Sequence, residues 1–200
     1  MRLKPVVFSL CLLPLLNLGW LAFSGHLGGN PVRFITLYTG EWALRFLLIA
    51  LAVTPASRLS GWSRLMALRR MLGLYAFFYA SLHMLSFVGL DLFFDFSALW
   101  REVLKRKYIT VGMLAFVLLI PLAITSTNKM VKRLGAARWK KLHKLVYVIG
   151  PLAVLHFYWM KSSKAYTAEP LVYAGILAAL LGYRVLARLR QKLSSKKRRA

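Results

Sequence analysis

Six apolar stretches, each about 20 residues long and set apart by short charged segments, fix what this chain can fold into. They run Val6–Phe23, Leu37–Ala56, Met71–Leu90, Tyr108–Thr127, Trp139–Trp159 and Pro170–Ala187. A helix of that length crosses the hydrocarbon core of a bilayer, ~30 Å thick. Unpaired backbone groups cannot face lipid, and no strand-length alternation is visible, so all six are expected to be α-helices. The expected fold class is all-α, a polytopic membrane bundle of six transmembrane helices. Pro121 and Pro151 fall inside spans four and five, where kinks are expected, and Pro55 sits near the end of span two.

The 29 Lys and Arg against 5 Asp and Glu would point to nucleic acid on a soluble chain. Here the cations lie between apolar stretches, and no soluble module remains to bind nucleic acid. They set topology instead and meet anionic lipid headgroups. Arg2 and Lys4, the arginines from Arg58 to Arg70, the cations from Lys129 to Lys141 and those from Arg184 to Arg199 gather at one end. Arg33, Arg101, Lys105, Arg106, Lys107, Lys161 and Lys164 are left for the other. The positive-inside rule then places both termini in the cytoplasm, with spans three and five running in the same direction. The first stretch also reads as a signal peptide ending at "AFS" before Gly25, and its removal would leave the other five spans oriented as they are. The connection Asp91–Lys107 mixes aromatics with both signs of charge. That pattern suits an interfacial helix where an external partner docks, and equally an aromatic belt at the lipid surface. The basic tail, residues 191–200, is expected to lie on anionic lipid.

The one cysteine, Cys11, excludes an internal disulfide and a thiolate cluster, and no C-x-x-C-H pattern attaches haem covalently. Of four histidines, His26 falls in the loop after the first stretch, while His83, His143 and His156 sit on spans three and five. Ionisable residues at membrane depth usually line a site and have partners. Proton-coupled transport would want deep carboxylates, but Asp91, Asp95, Glu102 and Glu169 fall in loops or at helix ends. Glu41 has Arg45 four residues on, the spacing of an ion pair on one helix face. Zinc would want three or four close ligands. His143 and His156 are thirteen residues apart, ~20 Å along a helix, and cannot share an ion. Haem iron takes one imidazole from each side, and two facing helices supply them. His83 and His156 both fall in the outer half, so they are expected to clamp one b-type haem there. His143, near the inner surface, has no histidine opposite it. Arg69 lies fourteen residues before His83 on the same face, suited to a haem propionate or another anion. On a straight helix His143 and His156 would lie about 140° apart, which strains a simple two-haem stack.

The stretches "TGEWALRFLLIALAVTP", "RRMLGLYAFFYASLHM" and "AITSTNKMVKRLG...WKKLHKLVY", in this order of six helices, resemble the MsrQ (YedZ) family of the ferric reductase-like transmembrane superfamily. The resemblance covers nearly the whole chain and implies one such domain over residues 1–190. It implies a multi-pass haem-binding subunit of the bacterial inner membrane, in a methionine sulfoxide reductase system that repairs oxidised periplasmic proteins. Electrons would come from the quinone pool or a cytosolic flavin reductase and pass to a periplasmic molybdopterin reductase, MsrP. FMN is implied by the resemblance alone. The superfamily pattern carries two histidines on each of spans three and five. His83, His143 and His156 match three of those positions, and Arg69 stands at the fourth. Arg69, Arg70 and Arg45 are the expected partners of a haem propionate or a flavin phosphate. One haem, or two, would be bound. No G-x-G-x-x-G fingerprint for a nicotinamide cofactor occurs, and no soluble domain carries a molybdenum-ligating cysteine, so electrons are expected to be borrowed and methionine sulfoxide to be reduced elsewhere. The alternatives are a stand-alone metalloreductase for ferric or cupric ions, a non-redox scaffold whose histidines pack between helices, and a transporter.

Overall fold

The computed structural model describes residues 3–162 and 167–197. Arg2, Lys164, Arg198 and Arg199, used above for orientation, lie outside them. The described residues form helices and connections, with no strand. Helix α1 spans Leu3–Phe23 and α2 Pro31–Ser60. Helix α3, Arg69–Leu85, continues through a π-wound turn, Ser86–Asp91. Short α4, Phe96–Lys105, precedes α5, Lys107–Ile124. Helices α6, Asn128–Leu134, and α7, Ala136–Leu142, lead through a 3₁₀ turn, His143–Leu145, into α8, Val146–Ser162. Helix α9 is Ala168–Lys197. Six helical segments are long and apolar enough to cross a membrane: α1, α2, α3 with its π turn, α5, α7 through α8, and α9 to Gln191. Six crossings return the chain to the end where it began, the one rich in basic residues.

Capping explains where α2 outruns its apolar stretch. Asn30 accepts the Arg33 N–H at 2.9 Å, Pro31 takes the first helical position, and Gly61 ends the helix in the left-handed region at φ 71°. Span five is not the continuous helix expected between Trp139 and Trp159. The three residues from His143 wind at ~3.0 rather than ~3.6 per turn, which rotates everything before them relative to His156 by about 20° each. The expected 140° between the two histidines therefore does not hold. Helix α9 also runs on past Ala187 and carries residues 191–197 of the basic tail as helix.

The core is built on α2 against α3 and on α5 against α8, with Ala76, Tyr79 and Ile149 almost wholly buried. Phe46 of α2 stacks on Tyr79 of α3 at 5.2 Å. Helix α1 is apolar all round and mostly faces outward, as a lipid-facing span does. Two side chains tie the outer helices to this core where prolines interrupt the backbone ladders. Beside Pro14, the Tyr79 hydroxyl accepts the Leu15 N–H at 3.2 Å and donates to the Cys11 carbonyl at 2.9 Å, inserting itself between a helical donor and its acceptor. On α2, Pro55 cannot donate to the Leu51 carbonyl four residues earlier, and Arg184 of α9 donates to it instead at 2.6 Å. Arg184 also donates to the Tyr147 hydroxyl at 2.8 Å.

Candidate functional site

Helices α2, α3, α5 and α8 enclose a cavity of about 360 Å³. Its depth is apolar, with Leu47, Ala76, Leu119 and Ile149 among its walls. Its mouth, at the end away from the basic end, carries Arg33, Asp91, Arg106 and Tyr108. Two imidazoles face into it. His83 comes from the last full turn of α3 and His156 from the middle of α8. Their ring centroids are 6.0 Å apart and their planes are inclined at 75°.

The hydrogen bonds fix the tautomers. His83 Nδ1 lies 2.8 Å from the Thr36 carbonyl oxygen, and His156 Nδ1 lies 2.6 Å from that of Tyr108. A carbonyl oxygen can only accept, so each Nδ1 carries the proton and donates. Each Nε2 is then a lone pair, and neither makes a hydrogen bond among the described residues. Two half-buried rings that offer lone pairs to one cavity, with their other nitrogens tied to carbonyls, have the arrangement that a metal-ligand pair with its outer support would need. Their separation is what two metal–imidazole bonds of about 2 Å each, plus the rings themselves, would produce. No group of three or more His, Cys, Asp or Glu that could hold an ion occurs among the described residues, so a metal held by these two rings would need its remaining ligands from a bound group, as a porphyrin supplies. The residues fit that group: two imidazole nitrogens that would hold the iron, an apolar slot and cations at one rim.

His143 lies elsewhere, in the 3₁₀ turn towards the basic end. Its ring stacks on Trp139 at 3.8 Å, its Nδ1 donates to the Trp139 carbonyl at 3.1 Å, and its Nε2 is 3.4 Å from the Ser126 hydroxyl. Arg69 and Arg70, at the start of α3, are close enough to act on its charge, and Arg70 donates to Asn128 Oδ1 at 2.7 Å. No second histidine faces His143 among the described residues. Arg45 is outside the cavity lining. It pairs with Glu41 at 3.0 Å, as its spacing suggested, donates to the Tyr173 hydroxyl at 2.9 Å and covers the Trp42 ring. His26 is exposed, with its Nδ1 2.9 Å from the Ser24 hydroxyl.

The cations at the cavity mouth are Arg33 and Arg106, which sequence reasoning passed over. The signal was available: both were counted at the outer end, where the His83–His156 pair was also placed. Arg33 makes no ion pair among the described residues. Arg106 meets Glu102 at 2.6 Å and donates to the Tyr108 hydroxyl at 3.1 Å, and these neighbours, Tyr108 foremost, hold its pKa above the ordinary guanidinium value.

Residues 39–155 match the family described as ferric reductase like transmembrane component, a region that contains His83 and His143 and stops one residue short of His156. A protein of Herminiimonas arsenicoxydans named protein-methionine-sulfoxide reductase heme-binding subunit MsrQ is 53% identical over 92% of this chain and 84% of its own. A protein of the same name from Rhodospirillum rubrum is 52% identical over 95% of this chain and 90% of its own. One from Caulobacter vibrioides is 49% identical over 90% and 85%. No solved structure matches.

Proposed function

Because the chain belongs to the MsrQ family of ferric reductase-like transmembrane proteins, we propose that it carries electrons across the bacterial inner membrane to a periplasmic molybdopterin methionine sulfoxide reductase of the MsrP kind. A b-type haem between His83 and His156 would supply the one-electron site near the periplasmic face. The two imidazoles would hold the iron through Nε2, and Arg33 and Arg106 at the cavity mouth would provide positive charge for propionates. His143, with Arg69 and Arg70 beside it, marks the entry side. A quinone headgroup, the phosphate of FMN or a second haem would be received there, with the quinone pool or a cytosolic flavin reductase as the source of electrons. Arg45 keeps Glu41 neutralised next to the cavity rather than meeting a cofactor itself. Around the basic end the cations meet anionic lipid.

The observation that carries this reading is the pair of half-buried imidazoles sharing one cavity with both Nδ1 protons committed to main-chain carbonyls. The purified chain is expected to show a reducible b-type spectrum that His83→Ala and His156→Ala each remove. Full haem content in both variants would refute the assignment. Reoxidation of the reduced protein should then require the periplasmic reductase together with a methionine sulfoxide substrate. Equally fast reoxidation by ferric or cupric chelates alone would identify a stand-alone metalloreductase.

A further inference from the structure

Both imidazoles are seated in the same way, by two different helices. His83 of α3 donates to the carbonyl of Thr36 on α2, and four residues on from Thr36 stands Gly40. His156 of α8 donates to the carbonyl of Tyr108 on α5, and four residues on from Tyr108 stands Gly112. The spacing has a physical reason. A helical carbonyl points along the axis towards residue i+4, whose Cβ stands beside it and shields its oxygen from a side chain arriving from a neighbouring helix. Only glycine removes that obstacle. A Cβ at position 40 would lie 2.9 Å from His83 Nδ1, and one at position 112 would lie 2.5 Å from His156 Nδ1, both too close for any real contact. Among the other glycines inside spans, Gly73 of α3 and Gly175 of α9 have nothing within 4 Å, and Gly89 and Gly150 would meet only carbon atoms of Phe94 and Leu177, at 3.1 Å, not an imidazole. Glycine in a helix interior is destabilising relative to alanine, so its placement opposite both rings calls for a compensating use.

We infer that Gly40 and Gly112 are positioning residues for the iron ligands, each opening a notch through which an imidazole Nδ1–H reaches a helical carbonyl. The inference rests on the haem reading above. The notch does two things. It sets the tautomer, so that Nε2 is the lone pair offered to the cavity. It also makes the ring a more basic ligand by partly drawing off the Nδ1 proton, which favours ferric over ferrous iron. The two notches lie on α2 and α5, neither of which carries an iron ligand, so ligand strength is set by helices other than those that supply the ligands.

The test uses the full chain, purified in detergent, as wild type, Gly40→Ala, Gly112→Ala and Gly73→Ala. The readouts are haem per chain, midpoint potential and the low-temperature EPR signature of the ferric protein. Gly112→Ala should lose haem roughly 10–100-fold more readily than wild type, as disruption of outer-shell support does at metal sites. Gly40→Ala, with its slightly longer approach, should retain more haem but with a raised midpoint potential and an altered EPR signature. Gly73→Ala should match wild type throughout. The inference is overturned if both notch variants keep full haem with unchanged potential and signature. If neither accumulates, the wild-type ferric protein decides. Electron–nuclear double resonance should resolve a hydrogen-bonded, exchangeable Nδ1 proton on each axial imidazole, and its absence would overturn the notch. Haem that persists in His83→Ala and His156→Ala, by contrast, defeats the underlying ligand assignment and leaves the notch without an object.

Discussion

His83, His143 and His156 were legible in the sequence because an imidazole at membrane depth is conspicuous against so few other ionisable groups. Their roles were less so. Sequence separation gives depth along a helix, but which neighbours close round a ring depends on packing. Thus Arg33 and Arg106, far apart in the chain, meet at the mouth of the cavity that holds His83 and His156, while Arg45 turns to Glu41 and Tyr173. This yields a discriminating expectation. Removing a cation near a haem disfavours the added electron, so Arg33→Ala should lower the midpoint potential by an amount on the order of 1 kcal/mol. Arg45→Ala should shift it less, because Arg45 stands outside the cavity lining whereas Arg33 is part of it. An equal or larger effect of Arg45→Ala in a redox titration would reverse those roles. At the other end, Arg69→Ala should leave the spectrum of the His83–His156 site intact and slow reduction from the donor side. Unchanged reduction rates would make Arg69 a topology charge only.

The spans were legible as elements because lipid demands length and apolarity, and both can be read from the sequence. Irregular winding was not. Neither the π turn after His83 nor the 3₁₀ turn at His143 has a signal of its own, since winding answers to neighbouring helices. Helix α4 lies in the connection whose pattern suits an interfacial helix and an aromatic belt equally. Phe96, Trp100 and Leu104 form an exposed stripe on one side, at the spacing of a helix resting on lipid headgroups. Asp95 caps it, accepting from the Ser97 and Ala98 N–H groups and from the Ser97 hydroxyl. These bonds, the Ser97 hydroxyl foremost, hold the Asp95 pKa below the ordinary carboxylate value. A depressed folded pKa adds stability above the unfolded value, and that is lost as pH falls through the folded one. Order in α4 should therefore loosen only in acid below the usual carboxylate range, as hydrogen exchange of its amides across that window would show. Between elements, Arg184→Ala strands the Leu51 carbonyl and should cost about 1–3 kcal/mol in detergent stability. Arg184→Lys should recover only part of it, lacking the fork that reaches Tyr147 as well. A melting temperature unmoved by Arg184→Ala would remove the latch.

Across the whole molecule, charge is sorted by end. Glu41, Asp91, Asp95, Glu102 and Glu169 all belong to the half away from the basic end, and Lys161 pairs with Glu169 there at 3.2 Å. The basic half holds cations without a carboxylate, the pattern that fixes orientation most strongly. In a Cys11→Ser background, a membrane-impermeant maleimide should label Ser97→Cys on α4 in spheroplasts and Ser60→Cys at the end of α2 only after lysis. The opposite result would invert the topology and with it the direction of electron flow. The Tyr79 hydroxyl threaded into α1 also bears on how the bundle is made. Synthesis runs from the amino terminus, so α1 enters the lipid more than sixty residues before the ring that bridges its backbone exists. Until α3 emerges, the first span sits in the bilayer without the hydroxyl that bridges Leu15 and Cys11 beside Pro14. Its final docking is thus an event of biogenesis timed by the third span rather than by its own insertion.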